Sequence, residues 1–220
     1  MVFSDLPSFP NSTQDSGIQV VVATQATVRM LPIFSGLSAA ATEHLSKKIT
    51  LVRASRGSNI VLETEPADSV YFIVAGFVKV VRGNVSDRYA IAVLSPGDIF
   101  GELGAITGSG RNASVIALTT CTVARLDKDE FLCCVDATAS VASFMLRYLA
   151  RRIVETDNQI ELFRGDIEPR LRFWLRQFRD RGLDAEVVLT NTEIARMMGT
   201  SREVVSRIVN KFRSAARPES

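Results

Sequence analysis

The 220-residue chain is poor in the residues that carry most metal and nucleophile chemistry, with one histidine and three cysteines. A lone His44 excludes multi-histidine metal sites and counts against a hydrolytic triad. Cys121, Cys133 and Cys134 are odd in number, two are adjacent, and no C-x-x-C spacing occurs. Neither a disulfide framework nor a zinc site is expected. Cys121, within T-C-T-V-A-R-L, reads as a buried reduced thiol. Cys133 and Cys134 leave a redox role open, although no flanking charge pattern clearly activates either. Long apolar runs are also lacking. Val70 to Val78 is strand-length, well short of the roughly 18 to 20 residues that span a bilayer. No basic segment followed by an apolar core opens the chain, so a secretory signal is not expected and a cytoplasmic location is the default.

What is present is the composition of a folded soluble protein, 46% hydrophobic and 23% charged. The formal net charge of +2 is unevenly spread. Met1 to Gly165 holds 15 basic and 16 acidic residues (−1); Asp166 to Ser220 holds 11 and 8 (+3). The C-terminal quarter is the basic part, which suggests a module facing nucleic acid.

Along the chain, Met1 to Ser16 is polar and rich in Pro and Ser, and a flexible extension is expected over residues 1–26. Two helical signals follow between Thr24 and Ser46, with Ser38 as a cap and Leu45 on the inner face. The period then becomes that of strands. Candidates are Ile49–Arg53, Asn59–Leu62, Val70–Val74, Phe77–Arg82, Ala90–Leu94, Ser114–Leu118 and Cys121–Leu126, with turn residues between them. Short strands roughly ten residues apart indicate an all-β barrel or jelly roll. Between the last pairs lies Phe100–Val115, F-G-E-L-G-A-I-T-G-S-G-R-N-A-S-V. Its glycines permit close backbone approach, Arg111 can grip phosphate oxygens, and Glu102 can accept from sugar hydroxyls. A hairpin with a Gly-rich loop and a surface ion pair would use the same residues.

Helical spacing returns at Asp127-Lys128-Asp129-Glu130, a capped helix start. A second helix is expected from about Ala139 to Phe163. Its apolar stripe, Val141, Met145, Tyr148, Leu149, Ile153, Ile160 and Phe163, suits pairing with a second copy of the chain or packing on its own barrel; pairing is favoured. Arg164-Gly165-Asp166 breaks it, and Asp166 can cap the next helix, with Pro169 in its first turn. Leu189 to Lys211 reads L-T-N-T-E-I-A-R-M-M-G-T-S-R-E-V-V-S-R-I-V-N-K. Thr190 with Glu193, and Thr200 with Glu203, form two capping boxes flanking a turn at Gly199. Ala195 allows close helix approach, and Ile194, Met198, Val205 and Ile208 supply a shared core. This is the helix-turn-helix layout. On its second helix Arg202, Glu203, Ser206, Arg207 and Asn210 share the exposed side, while Thr200 and Ser201 are placed to meet a phosphate.

A β-roll holding G-E-L…R-x-A-S, then a long helix, then a terminal helix-turn-helix resembles the catabolite activator (cyclic-AMP receptor) and fumarate-nitrate regulator superfamily over roughly residues 31–213. The resemblance implies an α+β fold: an N-terminal β-roll (jelly roll) for a cyclic nucleotide, a long dimerisation helix and a C-terminal helix-turn-helix domain. The bounds expected are 27–138 for the β-roll, 139–165 for the dimerisation helix and hinge, and 166–220 for the DNA-binding domain. It implies that Gly101 and Glu102, with Leu103, face the ribose and that Arg111 pairs with the cyclic phosphate, beside Asn112. Thr156 matches a base-contacting threonine, and S-R-E-V-V-S-R matches the pattern that reads T-G-T-G-A half-sites through Arg202, Glu203 and Arg207.

Cyclic AMP is the first expectation as effector, with cyclic GMP and cyclic di-GMP open. Double-stranded DNA, RNA polymerase and a second copy are the partners implied; a membrane, a metal and catalytic activity are not. Relatives with an iron–sulfur cluster carry an N-terminal cysteine cluster, which is lacking here before Cys121. Haem-dependent relatives use a histidine ligand, and His44 lies too early. Three departures stand out. Asn112 replaces the usual serine at the phosphate. Asp157 falls where a serine reaches across from the partner; an ionised Asp only accepts hydrogen bonds and so suits the N–H groups of guanine. After the recognition helix the sequence runs Ala215-Ala216-Arg217-Pro218-Glu219-Ser220, and a full wing like that of most relatives is not expected. A nucleotide-independent regulator and a nucleotide-responsive protein-interaction module with weak DNA binding remain alternatives.

Overall fold

The computed structural model describes residues 18–83, 89–163, 166–180 and 189–215. They fall into two compact units, one through Arg82 plus Ala92–Ala150 and the other of Gly83–Ile91 plus Arg151 onward.

Strands β1 (Ile18–Val22), β2 (Thr50–Ala54), β3 (Asn59–Val61), β4 (Ser69–Ala75), β5 (Val78–Arg82), β6 (Tyr89–Leu94), β7 (Ile99–Phe100), β8 (Ser114–Ala117) and β9 (Cys121–Asp127) build two sheets. Their orders are β1-β2-β9-β4-β7 and β3-β8-β5-β6. The helices of this part are α1 (Gln25–Met30), α2 (Ala39–Lys48), α3 (Glu102–Thr107), α4 (Lys128–Ala137) and α5 (Ala139–Phe163). Ser38 caps α2 through the Ala41 amide, as expected.

The larger sheet is a middle layer, and this explains the run at Val70. Along β4, Val70, Phe72 and Val74 enter a core with Phe34, Leu45, Phe131 and Met145, all from helical segments. Tyr71 and Ile73 enter a second core with Val78, Leu94, Val115 and Ala117, from the smaller sheet. Successive strand residues point to opposite faces, so a strand covered on both sides has no polar alternation.

Three expectations need correction. The N-terminal extension does not reach residue 26: β1 pairs with β2 from Ile18↔Ala54 to Val22↔Thr50. Of its three valines, Val20 and Val22 are 58% and 61% exposed and only Val21 packs against the core, so no core pattern marks the strand, and the ladder supplies its backbone bonds. Strand β7 also lies outside the expected strands, because two residues carry no period. Finally, the apolar stripe of α5 does not serve one purpose. Val141, Met145 and Tyr148 are buried in the chain's own core, whereas Ile153 is 62% exposed together with Leu146 and Val154. The side chains of Ile160 and Phe163 lie outside the described residues, as do Arg164 and Gly165 of the expected hinge.

The remaining helices are α6 (Ile167–Asp180), α7 (Asn191–Met198) and α8 (Arg202–Ala215). Leu171, Phe178, Ile194, Met198, Val205 and Ile208 are buried there. The two faces of α6 differ: its apolar side meets this core while Arg172, Arg176 and Arg179 are exposed. Residues 216–220 lie outside the described ones.

Candidate nucleotide cradle and DNA-reading helix

The cradle begins where β7 ends. Gly101 turns the chain into α3 with φ of 84°, in the left-handed region. A Cβ there would sit 2.5 Å from Arg111 Nη1 and 3.0 Å from the Ser69 carbonyl oxygen, so the position needs glycine for space as well as for φ. Glu102, the first residue of α3, is 5% exposed, and Leu103 beside it is 46% exposed. With only six residues, α3 aligns few peptide dipoles, and the charge of the site rests on Arg111.

Arg111 is 8% exposed yet held by polar partners. Its Nη1 donates to Ser69 O at 2.7 Å and its Nε to Pro66 O at 3.1 Å. Its Nη2 reaches Asp68 Oδ1 at 3.4 Å, and the guanidinium lies 5.6 Å from the Tyr71 ring centre. Tyr71 in turn stacks on Phe100 at 4.9 Å. The guanidinium is therefore pre-set by four residues before any anion arrives, and a fork of five N–H donors has capacity beyond these bonds. Asn112 is exposed and its carbonyl accepts from Arg82 Nε at 2.8 Å. An open cavity of about 300 Å³ lies beside the loop, lined by Pro66, Ala67, Asp68, Gly104, Gly108–Gly110 and Lys128; Glu102 and Arg111 do not line it. Charge and close backbone approach coincide at Arg111 and Gly101.

The structure thus brings Gly101 and Arg111 together with Pro66, Asp68, Ser69 and Tyr71, which sequence reasoning left out of the site. Glu65-Pro66-Ala67-Asp68 reads as a turn, and nothing local signals a contact across more than forty residues. Thr156 and Asp157 are exposed on α5, and Thr156 Oγ1 donates to the Arg152 carbonyl one turn back at 2.8 Å. Among the described residues no cluster of three or more His, Cys, Asp or Glu could hold a metal ion. Cys121 and Cys134 both have thiols pushed up to about 11, in each case mainly by burial, so both are protonated near neutrality and poor nucleophiles.

In the C-terminal part the first capping box forms as expected. Thr190 Oγ1 accepts from the Glu193 amide at 3.2 Å, and Glu193 Oε2 accepts from the Thr190 amide at 2.9 Å. Gly199 ends α7 at φ of 62°. The second box is corrected. Ser201, not Thr200, takes the cap position: its Oγ accepts from the Val204 amide at 3.4 Å and its carbonyl from the Val205 amide at 3.2 Å. Thr200 belongs to the turn, its amide donating to Ala195 O at 3.0 Å. Glu203 is held below the ordinary carboxylate range, first by its own backbone amide and then by the Ser201 hydroxyl. Arg202, Glu203 and Arg207 are exposed along α8, with Ser206 half-buried beside them. At the far end of α8, Lys211 Nζ meets Glu168 of α6 at 3.0 Å, and Arg172 of α6 lies 4.4 Å over the Phe212 ring.

The geometry of both parts agrees with what known proteins show. Residues 51–137 match the cyclic nucleotide-binding domain, and residues 169–216 match the Crp-like helix-turn-helix domain. The chain is 30% identical over 189 residues to the CRP-like cAMP-activated global transcriptional regulator of Mycobacterium tuberculosis, covering 82% of this chain and 84% of that one. The chain belongs to the cyclic-AMP receptor and fumarate-nitrate regulator family. Family membership makes it a DNA-binding transcription regulator with a cyclic nucleotide-binding domain. Among solved structures, FixK2 from Bradyrhizobium japonicum shares the fold with a TM-score of 0.66 at 21% identity, over 76% of this chain and 85% of that one. A transcriptional regulator of the same family from Thermus thermophilus does so with 0.62 at 24% identity, over 76% and 87%. Among the described residues no single helix is long and apolar enough to cross a membrane.

Proposed function

We propose that this regulator is a cytoplasmic homodimer without catalytic activity, whose DNA binding is set by a cyclic nucleotide held at Gly101, Glu102, Leu103, Arg111 and Asn112. The observation that carries the reading is the buried Arg111 guanidinium braced against Gly101, a pre-organised partner for a cyclic phosphate. Cyclic AMP is the first candidate, supported by the relative in Mycobacterium tuberculosis whose name describes cAMP activation. Dimerisation is supported by the exposed apolar residues Leu146, Ile153 and Val154 of α5, where the seven-residue spacing of the first two suits pairing with a second copy. Thr156, together with Asp157 of the second copy, would then contact the base. Domain bounds of 139–165 and 166–220 go with this reading, and the β-roll expected over 27–138 also takes in β1.

On the DNA side, Arg202, Glu203 and Arg207 would read base edges in T-G-T-G-A half-sites, with Thr200, Ser201 and Ser206 at the backbone. Ligand acts by binding the DNA-competent arrangement more tightly than the other. RNA polymerase is the further partner on this reading.

A second reading is favoured by Asp157: as an acceptor-only side chain it suits guanine, making cyclic GMP or cyclic di-GMP the effector. A gel shift on a T-G-T-G-A palindrome with cyclic AMP, cyclic GMP, cyclic di-GMP and no ligand tests both. A shift that cyclic AMP strengthens supports the first reading, and tighter calorimetric binding of a guanine nucleotide supports the second. An equal shift without ligand means a nucleotide-independent regulator. Nucleotide binding with no shift at low salt means that the C-terminal domain binds protein instead.

A further inference from the structure

We propose that Tyr148 is a positioning residue of the nucleotide cradle, tying α5 to the strand that delivers Gly101 and Glu102; its regulatory meaning rests on the cyclic nucleotide reading above. Among the described residues strand β7 has one strand neighbour, β4, with Phe72 opposite Ile99 and Tyr71 opposite Phe100. The Ile73 amide donates to Asp98 O at 3.0 Å, which makes the next pair, Phe72 and Ile99, the non-hydrogen-bonded one. Both polar backbone groups of Ile99 are therefore turned away from β4. Ile99 is 2% exposed, so water does not serve them.

The Tyr148 hydroxyl serves both. It accepts from the Ile99 amide at 2.9 Å and donates to the Ile99 carbonyl at 2.8 Å. A phenol can accept and donate at once, so a single oxygen stands where the next strand of the sheet would be. Tyr148 is 2% exposed, lies in the core with Met145 and Val141, and stacks on Phe144 at 6.3 Å. Its hydroxyl cannot move far without α5. Ile99 is two residues before Gly101, so a shift of the cradle either breaks two buried hydrogen bonds or carries α5 with it. Because α5 continues without a break to Phe163, the pull reaches the segment of Thr156 and Asp157, about two turns further on.

Hydrogen exchange on the full chain tests this, comparing wild type, Tyr148→Phe and Phe144→Leu, each with and without cyclic AMP. In the ligand-free Tyr148→Phe variant, amides of Ile99 and of Glu102 to Thr107 should exchange about tenfold faster or more, while paired amides of β2 and β9 keep their rates. Phe144→Leu loosens the packing but keeps the hydroxyl, and should leave the cradle at wild-type rates. Cyclic AMP should alter exchange across residues 149–157 in wild type and lose that effect in Tyr148→Phe. Unchanged cradle exchange in Tyr148→Phe, or the same acceleration in Phe144→Leu, overturns the proposal. If Tyr148→Phe does not fold, 4-aminophenylalanine at this position donates but accepts poorly; a wild-type rate at the Ile99 amide would then overturn it. A wild type that fails to bind cyclic AMP removes the nucleotide reading alone, because the ligand-free comparison still decides the tie.

Discussion

Arg111 Nη1 lies 2.7 Å from the carbonyl oxygen of Ser69, a bond across 42 residues that fastens the end of the cradle loop to the start of β4. The same guanidinium meets Pro66 O and Asp68, so the charge proposed to hold the phosphate is also a structural clamp on the turn before β4. On the proposed function, ligand affinity and local stability are thus linked through one side chain.

Replacing Arg111 by Lys separates charge from geometry. An ammonium is a point donor and cannot bridge Pro66 O and Ser69 O as a planar fork does. We expect a loss of about 1–3 kcal/mol in urea denaturation, from a carbonyl left buried and poorly paired. Calorimetry should show cyclic AMP binding weakened by about tenfold or more. An unchanged denaturation midpoint would mean that the clamp carries no stability.

Gly101→Ala should damage the cradle from the other side. The new methyl would sit 2.5 Å from Arg111 Nη1 at a φ of 84°. Left-handed backbone costs a non-glycine residue about 1–2 kcal/mol before any clash is counted. Thermal denaturation should show at least that loss, and cyclic AMP affinity should fall with it because the guanidinium must give way. A fully stable variant with normal affinity would contradict the geometry.

Acid should loosen the junction of α2 and α4. Glu130 in the first turn of α4 accepts from Lys48 at 2.9 Å and from His44 at 3.1 Å. These bonds, that from Lys48 first, hold its carboxyl below the ordinary range. A depressed folded-state value contributes stability that is present above the unfolded value, about 4.3, and is lost as pH falls through the folded value. Lys48 shifts the opposite way, upward, through the same bond, so its contribution is lost only when pH rises through its raised value. Melting temperatures between about pH 6 and about pH 3 should fall less steeply in Glu130→Gln than in wild type. Parallel curves would show that the ion pair is inert.

At the DNA surface, Arg202→Ala should cost about 1–3 kcal/mol of binding and relax the preference at one base position. Titrations against half-sites changed one position at a time provide the measurement. A uniform loss across all sequences would reassign Arg202 to a phosphate contact.

Much of this protein was legible in its sequence because the deciding forces are local. Capping at Thr190 and Ser38, the start and end of α5, the turn at Gly199 and the order of most strands from β2 to β9 follow from hydrogen bonds and periodicities within a few residues. The cassette Phe100–Val115 could likewise be read as a phosphate-and-ribose cradle from its residue types. Only tertiary structure decided which groups hold that cradle. Asp68, Ser69 and Tyr71 meet Arg111, and Tyr148 meets Ile99, through contacts between residues about forty or more apart in the chain. It also split the apolar stripe of α5 between the chain's own core and an exposed face, and it turned Ile18–Val22 into a strand. These outcomes depend on which surfaces packing brings together, and no local pattern encodes that.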